Sequence, residues 1–147
     1  MPEPNHESSA AMAAASAFRD RVPFLKDLGI EIVGAERGRS RIELTVLPRH
    51  LNSWDAVHGG VIMTLLDVAM AAASRSLDPT AGGGITVEMT TNFMQAAPSS
   101  GRLVAAGLCA HQSSTLAFCE AEVRDGSDRL LARAMGIFKH VPGRPTK

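Results

Sequence analysis

The sequence predicts an α+β domain in which one long helix lies inside a curled antiparallel sheet of about six strands. Three observations carry this. The segment Val61 to Leu77 is almost continuously apolar, with Asp67 its only carboxylate, and its Ala, Leu and Met content favours a buried helix. Before and after it, apolar residues alternate with polar ones at the period of strands. The later strands are separated by short polar breaks, which implies antiparallel neighbours.

In chain order, residues 1–12 are rich in Pro, Ser, Ala and acid and read as a disordered tail. Residues 13–28 read as one or two short helices with Phe18, Val22, Phe24, Leu25 and Leu28 as the apolar positions. Pro23 divides them and Gly29 ends the segment. Ile30 and Ile32, then Ile42, Leu44 and Val46, fit a hairpin around a Gly34–Gly38 turn, with 48–57 a loop. After the helix, Asp78-Pro79 is a stop and Gly82-Gly83-Gly84 a flexible connection. Four strands follow, over Ile85–Met94, Arg102–Ala110, Thr115–Arg124 and Leu130–His140, read as a meander. The domain thus spans 13–141, and 142–147 is a loose tail.

At 147 residues and 15.5 kDa the chain is one domain, and 45% hydrophobic content fills a core. Fifteen basic and fifteen acidic residues cancel, which argues against nucleic acid or an anionic membrane as partner. Aromatics are only 4%, without Tyr, so a base-stacking platform is not expected. The acidic start lacks the Lys or Arg of a secretory signal, and the apolar run Ala69–Ala73 is far short of a membrane span. A cytoplasmic protein is expected. Cys109 and Cys119 read as small buried hydrophobes in a reducing compartment. His50, His111 and His140 show no metal-ligand spacing, so no metal is expected. Ser113-Ser114-Thr115 sits in a turn without the elbow of a serine hydrolase.

The candidate chemistry sits on the helix and the loop before it. His58-Gly59-Gly60 opens the helix, where unpaired N–H groups and the dipole suit an anion or developing oxyanion. The glycines also fit a simple tight turn. Asp67 is costly in so apolar a helix unless it is partnered or used as a general base or nucleophile. Eight residues separate Gly59 from Asp67, about 12 Å of helix at roughly 1.5 Å per residue. If the two cooperate on one carbon, two subunits must supply them, which implies a two-fold dimer with two shared sites. Asn52 in the loop is able to bind a water or carbonyl, or simply to shape a turn. Thr86 either positions a group or is an ordinary β-branched strand residue. Trp54 caps an acyl group or sits on a dimer seam, and Met63, Met70, Met89, Met94 and Met135 suit packing or an acyl pocket.

The pattern Asn52-x5-His58-Gly59-Gly60-x6-Asp67, followed by Gly84-Ile-Thr86-Val-Glu-Met and Asn92-Phe-Met, resembles the hotdog-fold acyl-CoA thioesterases of the PaaI type over residues 24–141. The resemblance implies the hotdog fold, a homodimer or dimer of dimers, and hydrolysis of acyl-CoA with coenzyme A as part of the substrate and no cofactor. It gives Asp67 the role of base or nucleophile and Gly59 that of the N–H donor to the thioester carbonyl, with Gly60 beside it. His58 supports that loop, Asn52 holds water or thioester, and Thr86 positions the water. Asp67 and Thr86 come from one subunit and Asn52, His58 and Gly59 from the other. Two departures stand out. Asp55 replaces a common glycine, and Ser113-Ser114-Thr115 replaces the Gly-Arg near the CoA phosphates, which shifts that contact to Arg75, Arg124 or Lys139. A hotdog hydratase or dehydratase and a non-catalytic acyl-CoA sensor are the alternatives; the acyl group is left open.

Overall fold

Pro23 supplies a pre-set φ at the first turn of helix α1, Pro23–Leu28, and Arg19–Asp20 before it are also helical, so Pro23 stands where the expected division falls, as the start of the second helical stretch. Gly29 closes it in the left-handed conformation (φ 74°), its N–H donating to the Lys26 carbonyl. This is a computed structural model that describes residues 19–78, 80 and 82–143. The tail expected over 1–12, the helical segment over 13–18 and residues 144–147 lie outside them.

Strands β1 (Glu31–Glu36) and β2 (Arg39–Thr45) form the first hairpin. Its turn is Arg37-Gly38, both at positive φ, the mirror-type turn that matches strand twist. Gly34 is not in the turn; it lies within β1 beside a bulge that follows Ile32. The loop then makes a 3-10 turn at Pro48–His50 and closes on itself through a Leu51–Val57 bridge. The long helix α2 is Gly59–Arg75. It leads to β3 (Gly84–Phe93), β4 (Arg102–Gln112), β5 (Leu116–Arg124) and β6 (Leu130–His140).

All six strands form one antiparallel sheet in the order β1-β2-β4-β5-β6-β3. The expected four-strand meander is therefore corrected: β4, β5 and β6 are a meander, but β3 pairs with β6 and never with β4. The segment 94–101 carries the chain across the sheet, tied by Gln95 to β6 and by Gly101 to the end of β2. A hydrophobic helix needs covering from both sides of its axis, and this crossover lets the sheet close over it.

The inner face of the sheet is lined by small residues, Ala105, Ala117, Ala121, Ala132 and Ala134, and against them pack Leu65, Leu66, Ala69, Met70 and Ala73 of α2. Closest approach falls at Gly107 of β4, where a Cβ would collide with the Ala69 carbonyl and the Ser40 hydroxyl. Ser40 Oγ donates to that same carbonyl at 2.6 Å, so the buried polar groups at the contact are paired. At its far end α2 is tied to the first hairpin, since Gly38 N–H donates to Ser76 Oγ (2.8 Å). The expectation that α2 is buried all round fails on one face. Met63 is 40% exposed, and Thr64, Asp67 and Ala71 are half-buried, because the sheet curls past them without covering them.

The β5–β6 turn rests on a single carboxylate. Asp125 accepts from the Ser127 and Arg129 backbone N–H groups (2.9 and 3.0 Å) and from Arg129 Nε (2.8 Å). The Arg129 hydrogen bond holds its carboxyl below the usual carboxylate range, against the opposing effect of burial.

Two stability predictions follow. Gly107→Ala costs about 1–3 kcal/mol in denaturant unfolding, because the new methyl meets backbone that cannot move aside. Gly34→Ala, with nothing within 4 Å of its added Cβ, is the control and costs far less. Asp125 contributes stability above the ordinary carboxylate pKa of about 4, and that contribution is lost as pH falls through the lowered folded value. The stability gap between wild type and Asp125→Ala, measured by unfolding across pH 7 to pH 2, therefore narrows on the acid side.

Candidate active site

Helix α2 places the site along one stripe. Gly60, Met63, Thr64, Asp67 and Ala71 recur at three- and four-residue spacing on the face that the sheet leaves open. Above that face lies a cavity of about 410 Å³, roofed by Val22, Phe24 and Leu25 of the α1 region and bordered by Met89 of β3. Among the described residues its walls are apolar apart from Asp67 and Thr64.

Asp67 has the partner its position demands. Thr86 Oγ1 donates to Asp67 Oδ1 at 2.7 Å. Thr86 is aimed there by β3, whose register against β6 shifts between Thr86 and Glu88. A bulge of this kind redirects a side chain at a sheet edge. With Oδ1 engaged, Oδ2 is left to act as a base toward water or as a nucleophile.

The helix N-terminus separates the two glycines. His58 is the N-cap, and its Nδ1 accepts the Gly60 N–H at 2.9 Å. That bond places the ring proton of a neutral His58 on Nε2. Val61 N–H donates to the His58 carbonyl. Gly59 N–H has no acceptor among the described residues, and no acid lies in the first turn to neutralise the dipole. A Cβ on Gly59 would only touch the Phe93 ring at 3.6 Å, whereas one on Gly60 would press on the His58 ring at 3.1 Å. Gly59 is thus the open donor and Gly60 the supported one.

Behind this terminus stands His50, 1% exposed, a residue the sequence reading had weighed only as a metal ligand. Its Nδ1 accepts from Leu47 N–H (2.9 Å), and its Nε2 meets the Leu28 carbonyl at 2.7 Å. Its backbone carbonyl accepts from His58 N–H (2.8 Å), so it ties α1 to the chain that starts α2. Asn52 acts within its loop: Oδ1 accepts from Trp54 and Ala56 N–H (2.9 and 3.2 Å). Trp54 is 87% exposed and Asp55 turns the loop at positive φ (56°).

One chain brings Asp67 and Thr86 together, and separately groups His58, Gly59 and Gly60. It does not join the two groups, because α2 is unbroken between them and its rise sets about 12 Å along the axis. Asn52 and Trp54 lie in the loop before the helix. Of the cations considered for phosphate, Arg124 is engaged by Glu122 (2.8 Å) and the Asp128 carbonyl (3.0 Å). Arg75 lies against the Gly82 carbonyl (3.5 Å) and Lys139 is exposed on β6. Among the described residues no group of three or more His, Cys, Asp or Glu is placed to hold a metal ion. No helix among them is long and apolar enough to cross a membrane. Sequence reading missed Phe24 and Ala71 as cavity residues. Ala71 was legible four residues beyond Asp67, but nothing local tells that α1 folds over that stripe.

The Thioesterase superfamily profile matches residues 55–132, more than half of the chain. A candidate esterase of Deinococcus radiodurans is 33% identical over 128 residues, which are 86% of this chain and 85% of that one. The acyl-coenzyme A thioesterase PaaI of Escherichia coli is 25% identical over 136 residues, 92% of this chain and 95% of that one. The solved structure of E. coli PaaI, from the phenylacetic acid degradation operon, superposes with a TM-score of 0.82 at 24% identity, covering 92% and 96% of the two chains. A Streptococcus mutans protein solved bound to acetyl-CoA has a TM-score of 0.71 at 23% identity, over 79% and 91%. The chain belongs to the Thioesterase superfamily: it is a thioester hydrolase with the hotdog fold, of the PaaI type.

Proposed function

We propose that the protein hydrolyses an acyl-CoA to the free acid and coenzyme A, at two sites each shared between two copies of the chain, with no cofactor. The carrying observation is Asp67, the one carboxylate of an apolar cavity, aligned by Thr86. The acyl group enters the cavity between α1 and α2. A space of about 150 Å³ already takes benzene, so about 410 Å³ suits a one-ring aryl-acyl or medium-length alkyl group. Gly59 N–H stabilises the oxyanion at the thioester carbonyl, an effect typically of about 10² to 10³ in rate for one donor. Asp67 takes a proton from water, whose oxygen attacks the carbonyl carbon, and collapse of the tetrahedral centre expels the CoA thiolate, which receives that proton from Asp67. In the alternative course Asp67 attacks the carbonyl carbon itself, the thiolate leaves and takes a proton from solvent, and water then hydrolyses the acyl-Asp67 anhydride to the free acid. Phosphates of coenzyme A meet Lys139 or Arg75.

The second copy is supplied by β3. It is a ten-residue edge strand with Ile85, Val87 and Phe93 exposed at 54% or more, the surface that an unpaired edge must cover. Thr86 near one end stands at Asp67, and Phe93 at the other end stands at Gly59. Antiparallel pairing of two β3 strands about a two-fold near Met89–Thr90 brings the Thr86 end of one onto the Phe93 end of the other. Asp67 of one chain then faces Gly59, His58, Asn52 and Trp54 of its partner across one site.

A hydratase needs His58 as a base beside the carboxylate, and His58 Nδ1 is occupied by Gly60 N–H. A sensor leaves the Thr86-aligned carboxylate without a use. Two unbridged thiols support a cytoplasmic location.

The test is thiol release from aryl and alkyl acyl-CoAs. Asp67→Ala lowers kcat/KM at least about a hundredfold with the fold intact by circular dichroism. Absence of release from every ester by wild type refutes the reading. Refolding Asp67→Ala together with His58→Ala, each inactive alone, restores about a quarter of wild-type activity, since half of the dimers are mixed and each carries one complete site. Activity that stays at the level of the separate variants places each site within one chain.

A further inference from the structure

The two cysteines take no part in this chemistry, yet the fold sets them side by side. Cys109 of β4 stands directly opposite Cys119 of β5 in the register. Cys109 N–H donates to the Gly38 carbonyl on the far side of β4 (2.8 Å), so its backbone bonds point away from β5. Opposed residues of that kind form the non-hydrogen-bonded pair, with Cα atoms about 4.5 Å apart and side chains at their closest. That separation lies within the range of about 4.4–6.8 Å over which disulfides close. Both side chains lie on the core face, Cys119 4% exposed and Cys109 half-buried against the core. Burial, then the charge and hydrogen bond of the neighbouring Cys109, push the Cys119 thiol far above its usual range. Cys109 is the more accessible sulfur and the first to react, and Cys119 is placed to resolve the bond made there. Cys109 Sγ points along its own strand toward the His111 carbonyl (3.5 Å), past the bulge that breaks the β4–β5 register there.

We propose that Cys109 and Cys119 are a thiol–disulfide exchange site, oxidised by a low-molecular-weight disulfide to a cross-strand bridge within one chain. The thiolate of Cys109 attacks one sulfur of R–S–S–R, forming a mixed disulfide and expelling R–S⁻, which takes up the proton that the Cys109 thiol gave up. Cys119 then attacks the Cys109 sulfur: the protein S–S bond forms, the bond to R breaks, and the second R–SH leaves with the Cys119 proton. Two cysteines are oxidised and one small disulfide is reduced to two thiols, with no other reactant. The bridge straps β4 to β5 over Met70, whose side chain fills the space beside Gly136, the β6 neighbour of Cys119.

The experiment uses the native full-length protein with oxidised glutathione, followed by acid quenching, denaturing alkylation and intact-mass analysis. The expected product has lost two hydrogens and carries neither alkyl group nor glutathione. It melts several degrees above the reduced form, since the bridge restricts the unfolded chain, and reverts with dithiothreitol. Cys109→Ala and Cys119→Ala give no such mass and no such rise. Two alkylated thiols, a lasting glutathione adduct on Cys109, or a bridge between chains overturns the proposal. So does a bridged form that melts lower, which means that the bond forms only in an opened sheet.

Discussion

Everything in this molecule depends on how closely α2 approaches the sheet. At Gly107 the strand backbone and the Ala69 carbonyl leave no room for a side chain, and the Ser40 hydroxyl satisfies that carbonyl. Flanking alanines continue the low surface on either side. A helix seated this deep buries Leu65, Leu66, Met70 and Ala73 against the strands that curl around it. The depth also decides what stays outside. The opposite stripe of α2 is the part that the curl does not reach, and Asp67 lies on it.

A carboxylate there is neither fully buried nor fully solvated. In the dry interior, ionised Asp67 would need compensation of several kcal/mol, and in open water it would have little leverage on a bound carbonyl. The half-covered cavity, with one hydroxyl donor at 2.7 Å, is between these limits. The same helix presents its unneutralised N-terminus two turns before Asp67. The positive end of a dipole and a negative side chain on one rigid rod cannot be brought together by bending it. That rigidity is why a single chain keeps the Asp67–Thr86 pair apart from the His58-Gly59-Gly60 terminus.

The open edge of β3 has the same origin. Because the crossover 94–101 sends the chain to the far side of the sheet, β3 is left with one neighbour, β6. Its outer edge is unpaired among the described residues, with Ile85, Val87 and Phe93 exposed along it. In the proposed dimer one partner covers this edge and completes the site.

The sequence by itself determined the local elements and the chemistry carried on them. Apolar content and length marked α2, alternation marked the four later strands to within a residue or two of their ends, and the lone Asp67 and the His58-Gly59-Gly60 start were visible as exceptions to their surroundings. These signals are legible because they depend on neighbours a few residues away. The pairing of β3 with β6, the roof that Phe24 and Leu25 make over Asp67, the contact of Thr86 with that carboxylate, and the hold of the His58 ring on the Gly60 N–H were decided only in the tertiary structure. Each joins residues whose separation along the chain is set by loops or by one ring's hydrogen bond, and residue types alone do not encode those closures. The facing of Cys109 and Cys119 is of the same kind: two ordinary small apolar residues in sequence become a pair only through strand register.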